Sequence, residues 1–180
     1  MTTLGPELGA YAQRAAHRLP VDEAAIADLR RAAEGPLDPD YEAFLREHGG
    51  VAFSALVEFD LPPGCPWGER GMLTELFGRF DDGRGDALVE REGFASEIGP
   101  GWLPVGRDPG GNLLVLRTEG EGGVWLWDHE RRPTVGDMAP SDFVVTALGE
   151  RFHRVAASFA DFVNGLHGRS WDDSRTVTNP

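Results

Sequence analysis

The sequence predicts an α+β protein, with helices near both ends of the chain and short antiparallel strands between them. Apolar residues recur at helical spacing in the first third and again before the C-terminus. The middle has short β-branched and aromatic runs separated by turns rich in glycine and proline. A chain of 180 residues with 41% hydrophobic residues can build one hydrophobic core. We therefore expect a single domain with short segments at either end.

Three helices are predicted in the first third. The first is a weak helix that ends near Pro20 and contains Ala12, Ala15 and Ala16. Asp22 can cap the second helix, which ends at Gly35-Pro36. Its apolar face consists of Ile26, Leu29 and Ala33. The third helix opens at Asp38-Pro39, where proline suits the first helical position, and closes at Gly49-Gly50. Its apolar stripe consists of Tyr41, Phe44, Leu45 and His48.

The pattern of residues after position 50 predicts short strands and two more helices. The predicted strands are 51–59, 73–80, 102–105, the run through Leu114 and Leu116, 124–127 and 143–148. A polar turn at 119–123 should pair the strands on either side of it as a hairpin. A helix is expected over 86–98. The last helix is predicted from one wide apolar stripe, which consists of Phe152, Val155, Phe159, Phe162, Val163 and Leu166.

The composition excludes several classes of function. All 17 basic side chains are arginines, and 30 acidic residues bring the formal net charge to −13. The absence of lysine removes phosphate-binding P-loops and Schiff-base enzymes, which need an ammonium group. The negative charge argues against a nucleic-acid partner, because the phosphate backbone would be repelled. Cys65 is the single cysteine, and neither a secretory leader nor a membrane span is visible, so we expect a cytoplasmic protein without a membrane partner.

Candidates for catalysis or metal binding are incomplete. Cys65 lies in a Pro-Gly-Cys-Pro-Trp loop without a family-specific cysteine signature, and we interpret it as a loop thiol. Asp128, His129 and Glu130 are neighbours, but neighbouring side chains of a strand point to opposite faces. We interpret them as a strand-end cluster that makes turn hydrogen bonds. We expect no enzyme activity, cofactor, metal or small-molecule substrate. An enzyme that uses Cys65 or the 128–130 cluster is the alternative.

An acidic tract lies between positions 81 and 97. It contains Asp81, Asp82, Asp86, Glu90, Glu92 and Glu97, with Arg84 and Arg91 between them. The tract is either a solvated face that keeps the protein soluble or a docking surface for a basic partner, such as a nucleic-acid-binding enzyme. Trp67, in its proline and glycine loop, is either an anchor for such a partner or a residue folded onto the core.

Four segments, in register, resemble a known family. The segment 37–50, LDPDYEAFLREHGG, is similar to the opening motif of the SUKH superfamily, the Smi/Knr cell-wall-assembly-regulator type. The segments 103–112, LPVGRDPGGN, and 124–130, VWLWDHE, resemble two further motifs of that family. SFADFV at 158–163 resembles its closing helix. The resemblance covers about residues 20–168. The loop 62–68 and the tail after Gly168 have no counterpart in the family pattern, and specificity is expected there.

The resemblance implies an α+β fold with helices gathered around a mainly antiparallel sheet. It also implies a non-enzymatic role, because bacterial members are commonly immunity proteins that neutralise toxin domains, often nucleases. Fungal members are regulatory hubs in cell-wall signalling. The all-arginine composition, rich in glycine and alanine, is typical of a GC-rich bacterium and favours the immunity role. We predict a helical extension at 1–19, a SUKH-like domain at 20–168 and a disordered tail at 169–180.

The predicted function is that of an antitoxin. It would bind a cognate polymorphic or contact-dependent toxin domain with a basic surface, and block the active site of that domain without chemistry of its own. A general interaction or regulatory module with no toxin partner is the alternative. The residues predicted to contact the partner are Trp67, Glu69, Asp81, Asp82, Asp86, Glu90 and Asp108.

Overall fold

The computed structural model describes residues 12–13, 18–130 and 151–169. Within these ranges the chain forms five helices and eight strands. The helices are α1 (Glu23–Ala32), α2 (Pro39–His48), α3 (Ala87–Gly93), α4 (Ala95–Ile98) and α5 (Phe159–Asn164). The strands are β1 (Ala12–Gln13), β2 (Val51–Asp60), β3 (Arg70–Leu76), β4 (Trp102–Arg107), β5 (Leu113–Arg117), β6 (Val124–Trp127), β7 (Phe152–Ala156) and β8 (His167–Arg169). These helices and the antiparallel sheet confirm the predicted α+β class.

All of the described strands belong to one antiparallel sheet. Its order follows the chain from β1 to β7, and β8 returns to pair with β2. The strand β3 occupies one edge of β2, with a β-bulge between Ala52 and Val57. On the other edge, β1 lies opposite Ala52 and Phe53, while β8 lies opposite Leu56, Val57 and Glu58. Segments from opposite ends of the described chain therefore share one edge of β2.

The helices α1 and α2 form where their predicted caps lie. The Asp22 carboxylate accepts a hydrogen bond from the backbone N–H of Ala25 at 2.9 Å. Asp38 does the same for Asp40 at 2.8 Å. Each bond satisfies a backbone donor that has no partner inside the helix. Gly49 closes α2 with φ of 67°, a left-handed conformation that favours glycine.

Aromatic side chains of α2 and α5 form the centre of the core. The rings of Tyr41 and Phe44 lie 5.0 and 5.3 Å from that of Phe159, between centroids. Phe162 meets Phe59 of β2 at 5.5 Å, edge to face. The rings therefore lock the two helices to each other and to the sheet.

The strand β5 is covered on both of its faces. Leu113, Leu114, Val115 and Leu116 are all at most 1% exposed. One of these faces is aromatic, because Trp102 stacks on Phe152 at 4.4 Å and meets Trp125 edge-on at 5.8 Å. Trp125 and Trp127 lie two residues apart in β6 and share this face, as predicted.

The last predicted helix is wrong in its first half. Residues 152–156 form β7, which pairs with β6, and α5 begins only after Ser158. The hydroxyl of Ser158 accepts from the backbone N–H of Asp161 at 3.0 Å and so caps the helix. The apolar residues of 152–156 fit a helical period, but pairing with β6 satisfies the backbone in extended form. Beyond α5 the chain returns to the sheet as β8, which includes Arg169 of the predicted disordered tail.

Three smaller differences concern element boundaries. Ala12–Gln13 form a strand where a helix was expected, because they pair with β2. The predicted helix over 86–98 is divided at Phe94 into α3 and α4. The second predicted strand begins earlier and ends earlier than 73–80. The predictions for residues 1–11, 14–17, 143–148 and 170–180 lie outside the described residues.

Position 78, just after β3, requires glycine because the backbone passes close to the end of α2. A Cβ atom at Gly78 would lie 1.6 Å from the carbonyl oxygen of Gly49 and 2.6 Å from the amide nitrogen of Gly50. Only glycine permits so close an approach between this segment and the end of α2.

Among the described residues, no helix has the length and apolar composition that a membrane crossing requires.

Candidate partner-binding surface

A cavity of about 240 Å³ lies beside the loop that joins β2 to β3. Trp67 of that loop lines it together with Arg70 and Met72 from the start of β3. The turn between β4 and β5 contributes Asp108 and Asn112, and the residues after β6 contribute His129 and Glu130. We call this site the Trp67 cavity. It brings together two predicted partner residues and part of the cluster considered for catalysis.

Large apolar side chains are exposed at the Trp67 cavity. Trp67 and Met72 are each 44% exposed, and among the described residues only Val89 of α3, at 51%, is a further exposed large hydrophobic side chain. Trp67 also borders a second cavity, which it shares with Pro66, Asp128 and Glu130. An exposed tryptophan beside a recess is typical of an anchor residue at a protein interface.

The loop around Trp67 directs Cys65 inward. The backbone N–H of Cys65 donates to the carbonyl of Pro62 at 3.1 Å, and that of Gly68 donates to the carbonyl of Cys65 at 3.2 Å. Cys65 is 8% exposed and belongs to the hydrophobic core. A bond of 2.8 Å between the backbones of Leu61 and Glu69 closes the base of the loop. In the Pro-Gly-Cys-Pro-Trp loop, whose cysteine was considered as a nucleophile, the thiol of Cys65 therefore lies in the core and the indole of Trp67 lies at the surface.

A chain of hydrogen bonds crosses the floor of the Trp67 cavity. The Asp108 carboxylate accepts from the backbone N–H and from the side-chain amide of Asn112, both at 2.8 Å. Because a carboxylate only accepts, the Nδ2 of Asn112 faces Asp108 and its Oδ1 faces His129. That oxygen accepts from the backbone N–H of His129 at 3.2 Å and from its ring Nδ1 at 2.9 Å. The proton of the neutral ring therefore resides on Nδ1, and Nε2 keeps its lone pair.

Negative charge dominates the rim of the Trp67 cavity. Arg70 is the cation of the lining, and it pairs with Glu58 at 3.0 Å. Asp108 and Glu130 supply two carboxylates, and no described residue pairs with that of Glu130. Asp128 is fully buried, and its carboxylate accepts from the backbone N–H of Glu130 at 2.9 Å. The cavity thus presents acceptors and negative charge beside an exposed indole.

Asp86 is removed from the predicted contact surface, because it is only 2% exposed. Its carboxylate caps α3 by accepting from the backbone N–H groups of Leu88 at 2.9 Å and Val89 at 3.3 Å. It also accepts from the backbone N–H of Phe80 at 2.7 Å and from the Nε of Arg79 at 2.9 Å. All of its hydrogen-bonding capacity is therefore used inside the fold.

The other predicted contact residues are distributed over separate places. The side chain of Glu90 is 12% exposed and pairs with Arg107 at 2.5 Å, so its carboxylate is largely occupied within the fold. Asp81, Asp82 and Glu69 are exposed. Asp82 lines another cavity, together with Glu75. Of the seven predicted residues, the Trp67 cavity joins Trp67 and Asp108.

The pKa of the Glu75 carboxyl is perturbed. Burial raises the pKa of Glu75 above its ordinary value, the neighbouring Arg107 lowers it, and the charge of Glu90 raises it again. Burial is the largest of these effects, because an ionised carboxylate loses hydration there.

The 128–130 cluster does not converge as a metal site. His129 turns its Nδ1 to Asn112, and Asp128 is buried beside the backbone of Glu130. Among the described residues, no group of three or more histidine, cysteine, aspartate or glutamate side chains could hold a metal ion. The cluster makes turn hydrogen bonds, as the strand-end interpretation predicted.

Sequence reasoning missed Met72 and Arg70 as members of this surface. Neither carries a motif, and only the pairing of β2 with β3 places them beside Trp67. Asn112 and His129 were noted, but as parts of separate motifs. Their hydrogen bond joins residues that lie 17 positions apart, which no local pattern indicates.

The comparisons with known proteins establish the family. The family model of the SMI1 / KNR4 family (SUKH-1) matches residues 20–165, which is most of the chain. This protein belongs to the SMI1 / KNR4 family. Comparison with the curated proteins and with the solved structures gives no match. The SUKH-1 assignment confirms the resemblance found in the sequence motifs, and it supports an immunity-protein or Smi/Knr-type domain.

Within the SUKH-1 domain, the Trp67 cavity combines matched and unmatched segments. The turn 108–112 and the residues 128–130 belong to segments that resemble family motifs, whereas the loop that carries Trp67 has no counterpart in them. The floor of the cavity is therefore built from segments that resemble family motifs.

Proposed function

We propose that this SUKH-1 domain is a non-enzymatic immunity protein that binds and neutralises a cognate toxin domain, a polymorphic or contact-dependent nuclease toxin. The observation that carries the proposal is the exposed indole of Trp67 beside a recess with an acidic rim. Aromatic anchors in pockets supply much of the affinity of protein interfaces. A nuclease carries a positive groove for its substrate, and an acidic protein complements it.

Neutralisation follows from occlusion. A chain with a net charge of −13 attracts a basic toxin domain over distances of about a Debye length, roughly 8–10 Å in physiological salt. The indole of Trp67 then fixes the complex at short range, since its burial removes apolar surface from water. The bound domain excludes the substrate of the toxin from the active site, without any chemical step by the immunity protein.

The test is co-expression with any toxin-like domain that is found encoded beside this chain. We expect restored growth and a one-to-one complex in native mass spectrometry and titration calorimetry. Trp67→Ala should weaken the complex at least tenfold, whereas Val89→Ala, at the exposed apolar residue of α3, should leave it unchanged. Equal effects of the two variants would place the interface elsewhere.

Charge reversal at two places identifies the acidic surface that contributes. The paired substitution Asp81→Arg with Asp82→Arg tests the turn after β3, and Glu69→Arg with Glu130→Arg tests the rim beside Trp67. The pair that lies at the interface should slow association and flatten its dependence on salt. An unchanged association rate for both pairs would remove electrostatic steering from the proposal.

The second candidate is an interaction or regulatory module of the Smi/Knr type with no toxin partner. Family membership favours it equally, because the match supports either an immunity-protein or a Smi/Knr-type domain. A chromosomal neighbourhood without a toxin-like reading frame, together with no rescue of growth, would favour the regulatory module.

A further inference from the structure

We propose that the Trp67 cavity binds the side chain of an arginine that the partner protein presents. This inference rests on the proposed function and specifies the chemistry of the same site. Three properties of the cavity carry it: its hydrogen-bonding groups, its aromatic wall and its size.

The hydrogen-bonding groups of the cavity accept rather than donate. The bond from His129 Nδ1 to Asn112 leaves Nε2 as an acceptor, and no described residue donates to it. The carboxylates of Asp108 and Glu130 can only accept when ionised. A ligand that satisfies these groups must bring several donors and a positive charge.

The cation already present does not neutralise these acceptors. The guanidinium of Arg70 is held by Glu58 at 3.0 Å and lies 4.0 Å from Asp60, both on β2. These two carboxylates balance its charge. Among the described residues, the charges of Asp108 and Glu130 therefore remain for an incoming cation.

The aromatic wall favours arginine over lysine. A guanidinium is planar, stacks on an indole and presents five donors in a fixed fork, whereas an ammonium is a compact charge. The same chain already packs arginine in this way, because the guanidinium of Arg151 lies 4.8 Å from the ring centroid of Trp127. Arg117 lies 5.5 Å from that of Trp102. Trp67 offers its exposed ring to a guanidinium from outside.

The size of the cavity suits one side chain. Sites for drug-sized small molecules enclose about 300–1,000 Å³. The Trp67 cavity, at about 240 Å³, is smaller and open on one side. An arginine tethered to a protein surface fits these dimensions, and the rest of that surface supplies the remaining contact area.

The test uses small probes and the purified protein. We would titrate N-acetyl-arginine amide and observe the indole N–H resonance of Trp67 and the ring resonances of His129. N-acetyl-citrulline amide is the matched probe, because it has the same shape without the charge. We expect saturable shifts with the arginine probe and at least tenfold weaker binding of the citrulline probe.

Variants assign the response to the cavity. Trp67→Ala should abolish it and Glu130→Gln should weaken it several-fold, whereas Glu92→Gln, an exposed position on α3 outside the lining, should leave it unchanged. Trp67 and Glu130 are exposed, so unchanged thermal unfolding would show that both variants fold. Equal binding of citrulline and arginine, or stronger binding of N-acetyl-lysine amide, would overturn the inference.

The outcome is separable from that of the proposed function. A toxin complex without an arginine response would leave the immunity role standing and overturn only the chemistry assigned to this cavity. An arginine response without any toxin complex would support the cavity and count against the immunity role.

Discussion

Arg79 and Asp86 form a nearly enclosed ion pair, with 2.9 Å between Nε and Oδ2 and side-chain exposures of 17% and 3%. The same carboxylate caps α3 through the backbone N–H groups of Leu88 and Val89. Asp86 thereby fastens the segment after β3 to the start of α3. An aspartate within an acidic stretch of sequence is here a structural group, and its neighbours Asp81 and Asp82 are at the surface.

We expect Asp86→Ala to lower the free energy of unfolding by about 3–5 kcal/mol, because it leaves Arg79 unpaired and removes the cap of α3. Asp82→Ala is the matched control in the same tract. It loses one exposed bond to the backbone N–H of Arg84, and should change stability by less than about 0.5 kcal/mol. Urea unfolding measures both. Similar losses for the two variants would contradict the structural role of Asp86.

The hydroxyl of Tyr41 should remain protonated as long as the protein is folded. Burial, and to a lesser extent the charge of Asp86, raise the pKa of Tyr41 far above its ordinary value of about 10. Its hydroxyl donates to the carbonyl of Phe77 at 3.1 Å. The unfolded chain loses this proton above about pH 10 and the folded chain keeps it, so stability falls as pH rises beyond that point.

Tyr41→Phe isolates this contribution. The variant should be less stable by about 1 kcal/mol at neutral pH, because the carbonyl of Phe77 loses its donor. Its stability should also decline less steeply above about pH 10. Chemical denaturation at several pH values, with phenolate absorbance recorded in parallel, measures both effects. Identical alkaline slopes would contradict the raised pKa.

Two glycine-to-alanine substitutions should have opposite effects. Gly78→Ala places a methyl group 1.6 Å from the carbonyl oxygen of Gly49, and we expect a loss of at least about 3 kcal/mol or failure to fold. Gly93→Ala, at the end of α3, meets no atom within 4 Å and should gain about 0.5–1 kcal/mol, because alanine favours the helix. Thermal unfolding of the two variants is the measurement.

Glu75→Gln should change how stability depends on pH. Since the pKa of Glu75 is raised, the folded protein holds this proton where the unfolded chain has released it. The carboxyl of Glu75 therefore makes the folded protein less stable as the pH rises above the ordinary pKa of a glutamate. The glutamine of the variant does not titrate, so it removes that loss of stability. The melting temperature of the variant relative to the parent should increase from pH 4 to pH 7. Glu69→Gln, at an exposed position, controls for the removal of one charge.

The neutral ring of His129 should carry its proton on Nδ1. The acceptor on that side is the Oδ1 of Asn112, 2.9 Å away. Nitrogen-15 shifts of the ring at high pH distinguish this tautomer from the Nε2–H form. A ring protonated on Nε2 would contradict the hydrogen-bond chain through Asn112.

Local patterns in the sequence determine the N-terminal half of the fold. Asp22, Asp38 and Gly49 act at helix ends, where a single side chain or backbone conformation decides the boundary. The turns at 108–112 and 119–123 likewise fix the pairing of β4, β5 and β6. These elements were predictable because each is specified by residues near it in sequence.

Elements specified by distant partners were not predictable in the same way. Residues 152–156 have helical spacing and become a strand, because β6 offers them a backbone edge. The family motifs identified the domain. However, only strand pairing across the sheet places Met72 beside Trp67 and brings Asn112 within hydrogen-bond distance of His129. Asp86 was misplaced at the surface because an acidic run in sequence does not show which carboxylate turns inward.

The shared edge of β2 makes the domain nearly circular in its connectivity. Arg169, at the end of β8, lies opposite Leu56, and Ala12, at the start of β1, lies opposite Phe53. Both strands run in the same direction, so β1 continues the line of β8 after a gap of about 10 Å. A short linker across that gap, with new termini at the exposed turn containing Gly120, would give a circular permutant with the same sheet. Because β1 and β8 share this edge of β2, both ends of the domain are needed to pair it fully. The strand β8 can pair with β2 only after translation has passed residue 169.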